Sequence, residues 1–178
     1  SQINQFNRSG NRSHMSFVAR ETRRDRTMTK TNANAVLVDS LNQLLADSFA
    51  LYLKTKNFHW HVRGPQFRDL HLLFDEQAAE IFALTDLIAE RVRKNGAPTL
   101  TSIGSIAGLS QIKDQDASDL SAEDMVRELV ADNTAYIAQL RATKEAAGNA
   151  GDNATDGIID DWTDQAQQRV WFLSSVIA

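Results

Sequence analysis

The sequence contains no cysteine, and only two of its 178 residues are proline. Without cysteine there is neither a disulfide framework nor a thiolate metal site, so a metal would have to be held by nitrogen and oxygen atoms. The shortage of proline, together with only eight glycines, leaves long uninterrupted stretches and favours helices. No apolar run reaches transmembrane length and no signal peptide is recognisable, so we expect a cytoplasmic protein.

Residues 1–32 have few large apolar residues and no periodicity, which predicts a flexible, disordered arm. Seven basic residues stand against two acidic ones there, a net charge of +5, whereas residues 33–178 carry −9. A basic tail on an acidic body is typical of nucleic-acid contact and favours association with the nucleoid. The alternatives are a solubilising tail or partly vector-derived sequence. The predicted DNA-binding residues are Arg8, Arg12, Arg20, Arg23, Arg24, Arg26 and Lys30.

The first half of the remaining chain predicts two long helices. Apolar residues from Ala33 to about Val62 follow the spacing of a buried helical face. The sequence Arg63-Gly64-Pro65 ends that helix, because the residue before proline is pushed out of the helical region. A second helix follows from about Gln66 to Lys94 and ends at Asn95-Gly96. The inward-facing residues of the first helix are Leu37, Leu41, Leu44, Leu45, Phe49, Tyr52 and Leu53.

The second half predicts a long connection and two more helices. Residues 97–120 contain one short helix, Ser102–Leu109, and a third long helix begins at Ser121, which caps it with Asp124 as the reciprocal acid. A fourth runs from about Asn153 to Val176. The fold predicted for residues 33–178 is all-α, a four-helix bundle whose long link between helices 2 and 3 allows a crossover, as in ferritin-like folds. The inner faces comprise Met125, Leu129, Asn133, Tyr136 and Leu140, and then Ile159, Trp162, Ala166, Leu173 and Ile177.

Four metal-competent side chains lie along one stripe of the second helix. At 3.6 residues per turn, Asp75, Asp86 and Glu90 fall within about 100° of His71 around the axis. The pair His71 and Asp75 is nevertheless separated from Asp86 and Glu90 by roughly 22 Å along the axis, since the rise is about 1.5 Å per residue. Metal–ligand bonds are about 2 Å long, so no single ion contacts both pairs. The stripe therefore predicts two half-sites, unless these are simply solvated acids and a buried histidine.

A two-fold axis would complete both half-sites. If the same helix of a second subunit runs antiparallel, with the crossing near Glu80 and Ile81, each histidine end faces the partner's acidic end. His59, just before the turn, would add a third ligand from its own chain, giving a mixed nitrogen and oxygen set that suits Fe(II). His61 points about 200° away from His59 if the helix persists, so it should not bind the same ion.

The strings His59-Trp60-x-Val62-x-Gly64, Leu70-His71-x-x-x-Asp75 and Asp86-x-x-Ala89-Glu90-Arg91 resemble the Dps family (DNA-binding proteins from starved cells), which are ferritin-like mini-ferritins. The resemblance implies a shell of twelve subunits that oxidises Fe(II) with hydrogen peroxide, stores the ferric product and protects DNA. By matching position, His59, His71 and Asp75 would be ligands from one subunit, and Asp86 and Glu90 ligands from its neighbour. His61 departs from the Asn that is frequent in the family, and Asn95 from an apolar residue.

Further residues have alternative roles. Trp60 lies beside the site, as a quencher of oxidising equivalents or as a packing aromatic. Asp152, Asp156 and Asp160 begin the fourth helix, either as ordinary N-terminal acids or, as in the family, as an acidic pore for Fe(II) entry. Arg91 is expected to hold a carboxylate or a subunit contact. No Glu-x-x-His motif occurs, which disfavours a di-iron site inside one bundle.

Three functions follow from these observations. The favoured one is a ferroxidase with intersubunit iron sites. The second is a DNA-compacting structural protein that uses its basic arm. The third is a helical bundle that assembles without metal chemistry.

Overall fold

The computed structural model describes the backbone of residues 10–178 and the side chains of residues 29–178. Five helices make up its regular structure, and within that part of the chain there is no strand, so the all-α prediction is confirmed. None of the helices in residues 10–178 combines the length and apolar character needed to span a bilayer. The helices are α1 (Gly10–His61), α2 (Phe67–Lys94), α3 (Ile103–Leu109), α4 (Ala122–Ala150) and α5 (Asn153–Val176).

Helix α1 differs from the prediction at its start. It begins at Gly10 instead of Ala33, so residues 10–32 continue the helix where we predicted a disordered arm. The physical reason is that residues 11–32 contain neither glycine nor proline, and extending an existing helix is far easier than nucleating one. Residues 1–9 of the predicted arm lie outside the described residues.

The four long helices form a bundle with one crossover. Helix α1 runs antiparallel to α2, as the hydrogen bond from Asn34 Nδ2 to Asn95 O at one end shows, and antiparallel to α4. Helix α5 is antiparallel to both α4 and α2. Helices α2 and α4 are therefore parallel, and a parallel pair requires the long connection that the sequence predicted.

Polar side chains of α1 hold this connection along the outside of the bundle. The buried Asp47 carboxylate accepts a hydrogen bond from Gln111 N at 2.7 Å, just after α3 ends. Lys54 Nζ donates to Lys113 O at 2.9 Å, and Asn57 Nδ2 donates to Gln115 O at 3.0 Å. These three hydrogen bonds hold the crossover connection against α1 between Asp47 and Asn57.

The predicted inner faces pack into the core with one exception. Every predicted residue of α4 is buried, as are four of the five in α5, with Ile177 partly buried. On α1 the four predicted leucines from Leu37 to Leu45 are buried, and Phe49 and Tyr52 are partly buried. Leu53 was assigned wrongly, since it is 57% exposed, and Lys54 beside it is buried instead. The reason is that Lys54 is paired with carboxylates of α4.

The predicted turns and caps are largely present. Gly64 adopts a φ of 107°, which only glycine takes readily, and it ends the turn after α1. Ser121 Oγ accepts from Asp124 N at 3.1 Å, as predicted for the start of α4. The reciprocal half of that cap is absent, because the Asp124 carboxylate accepts from the Ser121 hydroxyl instead.

The centre of the bundle is polar. Arg169 of α5 is 1% exposed, and its Nη1 donates to Glu80 Oε1 of α2 at 2.5 Å. Its Nε donates to Asn133 Oδ1 of α4 at 2.7 Å. Tyr136 and Ser48 are hydrogen-bonded beside it at 2.8 Å, so all four long helices contribute a polar side chain.

Candidate metal centre

The loop between α1 and α2 brings His59 and His71 together. His59 Nδ1 is 2.6 Å from His71 O, and His71 Nδ1 is 2.7 Å from His59 O. A carbonyl oxygen only accepts, so each Nδ1 carries the hydrogen and donates it. The lone pair of each imidazole is therefore on Nε2, which is the arrangement found in metal-binding histidines.

The two imidazoles are also stacked. Their ring centroids are 3.8 Å apart and the planes are inclined by 15°. Phe67 in the first turn of α2 stacks on the other face of His71, with centroids 5.0 Å apart and an angle of 26°. The ring orientations are thus fixed by packing as well as by hydrogen bonds.

Asp75 lies next to this pair. Its Oδ1 is 3.8 Å from His59 Nε2, and it accepts a hydrogen bond from Lys56 Nζ at 2.7 Å. The Lys56 hydrogen bond is the main reason that the pKa of Asp75 is lowered from its usual value, so the carboxylate is ionised at neutral pH. His59, His71 and Asp75 are brought together as predicted.

Asp86 and Glu90 occupy the far end of α2. Both side chains are exposed. Glu90 Oε2 is 3.5 Å from the Nζ of Lys94, which lies one helical turn further along α2. Among the described residues, no cluster of three or more His, Asp or Glu side chains is positioned to hold a metal ion. In one chain the residues predicted as ligands therefore form two separate groups, one at each end of α2.

The bundle centre offers no alternative metal site. In ferritin-like carboxylate proteins with an internal di-iron centre, glutamates and histidines of facing helices project inward. Here the buried Arg169 guanidinium occupies that position, with Glu80 as its counter-ion. A second cation there would be repelled by the first.

The structure also places the neighbouring residues Trp60 and His61. Trp60 is 58% exposed, and Lys56 Nζ lies 5.8 Å from the centre of one of its rings. It is therefore a surface aromatic beside Lys56 and not part of the core. His61 is exposed and its Nδ1 is bonded to Asn57, 2.8 Å from the backbone oxygen and 2.7 Å from Oδ1.

Of the three predicted pore acids, Asp152 is bound within its own chain. It caps α5 by accepting from Thr155 N, and it accepts from Arg91 Nη2 at 2.9 Å and Asn95 Nδ2 at 2.9 Å. Burial raises its pKa, but the hydrogen bonds from Thr155, Asn95 and Arg91 outweigh this and hold the pKa well below its usual value. Arg91 binds a carboxylate, as predicted. Asn95 donates a hydrogen bond to the same Asp152 carboxylate, which accounts for a polar residue at this position.

Asp156 and Asp160 share one lysine. Lys144 Nζ of α4 is 2.5 Å from Asp156 Oδ1 and 3.0 Å from Asp160 Oδ1. These two hydrogen bonds raise the pKa of Lys144. Both acids remain partly or fully exposed, but half of their charge is neutralised locally.

Lys30 is exposed at the edge of the described side chains. The other predicted DNA-binding side chains lie outside the described ones. They are Arg8, Arg12, Arg20, Arg23, Arg24 and Arg26.

The sequence did not predict three residues that contact these sites. Lys56 lies three residues before His59, and Phe67 four residues before His71, so helical spacing alone puts each beside its histidine. Lys144 has no such signal, because it reaches Asp156 from another helix.

Residues 38–178 match the model of the ferritin-like domain family named Ferritin. A DNA protection during starvation protein of Brevibacillus brevis is 30% identical over 83% of this chain and 99% of that protein. The chain belongs to the Dps family of ferritin-like proteins. The family match covers most of the bundle, including every proposed metal ligand.

Solved structures of Dps proteins have the same fold. Dps from Thermosynechococcus elongatus superposes with a TM-score of 0.81 at 29% identity, covering 84% of this chain and 94% of that one. The Dps protein of Vibrio cholerae O1, described as a member of a broad superfamily of ferritin-like diiron-carboxylate proteins, gives 0.78 at 27% identity, over 83% and 92%. The ferritin-like four-helix bundle predicted from the sequence is confirmed.

Proposed function

We propose that two copies of this chain form paired ferroxidase sites that oxidise Fe(II) with hydrogen peroxide. Twelve copies form a shell that stores the ferric product in the cytoplasm and protects DNA. His59, His71 and Asp75 of one subunit face Asp86 and Glu90 of its partner. The observation that supports this most directly is the pair of histidines. Each has its Nδ1 bound to a carbonyl oxygen, and the Nε2 of His59 lies 3.8 Å from Asp75 Oδ1.

The surface between the two half-sites suits a two-fold contact. At about 100° per residue, Phe82 lies roughly 20° from His71 around the α2 axis, midway between the histidine and acidic ends. Phe82 is 51% exposed and contacts Tyr52, and Ala79 on the same stripe is also exposed. An apolar centre flanked by ligands at both ends is self-complementary under a two-fold axis.

The stacking of the histidines favours two ions at each site. A metal lies close to the plane of the imidazole that binds it, about 2.0–2.1 Å from the nitrogen. The two ring planes are inclined by only 15°, and their centroids are 3.8 Å apart. Two nearly parallel rings at this separation cannot both have one ion in their plane at the metal–nitrogen bond length. His59 and His71 therefore bind different ions, which refines the single three-ligand set of the sequence analysis. Two Fe(II) ions together supply the two electrons that peroxide accepts.

In the reaction, each Fe(II) loses one electron and hydrogen peroxide takes up two electrons and two protons. The products are two Fe(III) and two waters, and no hydroxyl radical is released. The chain contributes preorganised ligands: neutral imidazoles that retain Fe(II) and ionised carboxylates that stabilise Fe(III). Lys56 has to leave Asp75 when the ion binds there.

Replacing His71 with alanine tests this function. We expect peroxide-dependent Fe(II) oxidation in the His71→Ala variant to fall at least tenfold, as monitored by the absorbance of the ferric product. His61→Ala is the matched control, because His61 is exposed and its hydrogen bonds to the described residues go to Asn57, and it should retain the wild-type rate. Full oxidation by His71→Ala would refute the site.

Asp156 and Asp160 support a route for iron entry. Acidic side chains concentrate cations at their surface, and in a shell they would do so around a pore. Asp152 is less suited to this role because Arg91 and Asn95 already bind it. We therefore assign entry to Asp156 and Asp160, with Lys144 as the cation displaced by Fe(II).

The charge distribution favours DNA contact as a second candidate function. Residues 1–32 carry +5 against −9 for the rest, and twelve such segments on one shell would multiply weak phosphate contacts. Deleting residues 1–30 should abolish the retardation of DNA in a gel at low salt while iron oxidation continues. Unchanged retardation would remove this argument.

A further inference from the structure

We propose that the seam between α2 and α5 contains a binding site for one ordered water molecule at the centre of the bundle. The ligand atoms are Arg169 Nη2, Gln77 Oε1 and Gln165 Oε1. All three atoms are buried, and none has a hydrogen-bond partner among the described residues. The site is separate from both ends of α2 where the iron ligands lie, and the inference does not depend on the proposed iron chemistry.

The other polar atoms of the two most buried side chains are already bound. Arg169 is 1% exposed, and its Nε and Nη1 donate to Asn133 and Glu80. Gln77 is 4% exposed, and its Nε2 is 3.4 Å from Arg169 O. Leaving a buried donor or acceptor without a partner is costly, so such atoms in folded proteins bind another group or an ordered water. Arg169 Nη2 and Gln77 Oε1 therefore require a ligand.

The three side chains meet at one level of the seam. Gln77 contacts Arg169 directly through the hydrogen bond to its backbone oxygen. Gln165 precedes Arg169 by one turn of α5, so the two lie on the same face of that helix. Long helical side chains lean towards the N-terminus of their helix, which directs the Arg169 side chain towards Gln165. Glu80, which binds the same guanidinium, lies one turn after Gln77 on α2.

The seam has room for a small molecule. Helices α2 and α5 approach each other less closely than any other neighbouring pair of long helices. Glu80 and Gln165 are partly exposed, which gives water a path from the surface. A buried water needs space and about two to four polar partners, and this seam offers three.

The mixture of ligand atoms selects water over an ion. A water molecule accepts a hydrogen bond from Arg169 Nη2 and donates one to each glutamine oxygen, so all three atoms are satisfied. An anion would face two oxygens that only accept, and Glu80 already balances the charge of Arg169. A metal cation would be repelled by the guanidinium. The site therefore fits a neutral molecule that both donates and accepts hydrogen bonds.

A crystal structure of the full chain tests the site, with a second crystal grown in sodium bromide. We expect a density peak about 2.7–3.2 Å from Arg169 Nη2 and from both glutamine oxygens, with no anomalous signal from bromide. A bromide peak at this position would show an anion site and overturn the inference. The absence of any peak would overturn it as well, because the three atoms would then be satisfied within the protein.

The variant Gln77→Met tests the assignment of the ligands. Methionine has a similar length but no oxygen, so the water peak should weaken at least about twofold or move away from residue 77. Gln167→Met is the matched control, because Gln167 is exposed on α5, and the peak should remain as in the wild type. An unchanged water in Gln77→Met would refute the role of Gln77 as a ligand. The wild-type crystals decide the main inference even if this variant does not fold.

Discussion

Each histidine of the site depends on the backbone of the other's helix. His59 donates to a carbonyl of α2, and His71 donates to a carbonyl of α1. These hydrogen bonds fix the tautomer, because only Nε2 then keeps a lone pair. The imidazoles are thus prepared for metal binding by the helix pair itself, and no additional carboxylate is required to orient them.

Replacing Lys56 with glutamine should strengthen metal binding at Asp75. The lysine ammonium, 2.7 Å from Asp75 Oδ1, competes with a cation for the same oxygen. Ion pairs at such exposed positions contribute about 0.2–1 kcal/mol, which corresponds to a gain of roughly 1.4- to fivefold in affinity. Calorimetric titration with Co(II), which peroxide does not turn over in the same way, measures this directly. Equal or weaker affinity would show that Lys56 positions Asp75 instead of blocking it.

The relative positions of the proposed ligands on α2 could be predicted from the sequence because they follow a helical period. His71, Asp75, Asp86 and Glu90 lie on one helix, so their angles and their separation follow from rise and turn alone. The stacking of His59 on His71 could not, because it depends on how closely the chain turns around Gly64. For the same reason the sequence did not suggest the proposal that the two histidines bind different ions.

At the scale of the helices, the start of α5 is joined to the end of α2. Asp152 caps α5 and receives hydrogen bonds from Arg91 and Asn95 of α2. Replacing Asp152 with asparagine keeps an N-cap acceptor but removes the negative charge that Arg91 binds, so it should lower the free energy of unfolding at pH 7 by about 2 kcal/mol, as is typical of a hydrogen bond to a charged group. Urea unfolding measures this change, with the exposed Asp116→Asn as control.

The effect of Asp152 should depend on pH. Its folded-state pKa is depressed below the usual 3.8, so its stabilising contribution is present above that pH. The contribution declines as the pH falls from about 4 towards the folded-state pKa, because protonation then becomes possible. The difference between wild type and Asp152→Asn should therefore be smaller at pH 3 than at pH 7. An equal difference in the free energy of unfolding at the two pH values would mean that the charge of Asp152 does not contribute to stability.

The crossover depends on one buried lysine of α1. Lys54 Nζ is 2.8 Å from Asp132 Oδ2 and 3.1 Å from Glu128 Oε2, and its side chain is 6% exposed. Lys54→Met leaves two carboxylates without their cation, and burial already raises the pKa of Asp132. We expect a loss of about 3 kcal/mol in the free energy of unfolding.

A surface lysine provides the comparison for Lys54. Lys94 pairs with Glu90 one turn away, and both side chains are more than half exposed. Lys94→Met should change stability by less than about 0.5 kcal/mol. Thermal unfolding of Lys54→Met and Lys94→Met compares the buried ion pair with the exposed one. Similar losses of stability in the two variants would show that burial does not make the Lys54 pair more important.

Helix boundaries were predictable where the sequence contains a chemical stop. Gly64-Pro65 and Asn95-Gly96 end α1 and α2 close to the predicted residues. The start of α1 has no such signal, since residues 11–32 are polar but contain no helix breaker. Apolar periodicity reports packing, and so it located the part of α1 whose leucines are buried in the core, from Leu37 onward.

For the whole molecule, the buried Arg169 supports the proposal that the iron site lies between subunits. A fixed cation with Glu80 as its counter-ion occupies the bundle centre. The proposed ligands lie instead at the end of α1 and on the outer surface of α2, where one chain presents only half of each proposed set. In the proposed dimer, a two-fold axis would convert two incomplete sets into two complete sites.

Mixing two inactive variants should restore activity if the site is shared. His71→Ala loses the histidine end and Glu90→Ala loses the acidic end, so either variant alone has no complete site. In a mixed dimer, the histidine end of the Glu90→Ala chain faces the acidic end of the His71→Ala chain, which gives one intact site in two. Half of the dimers are mixed after random reassembly, so the expected rate is about a quarter of wild type. Initial rates after joint unfolding and refolding measure this. A site within one chain predicts no recovery, because neither variant contains an intact copy.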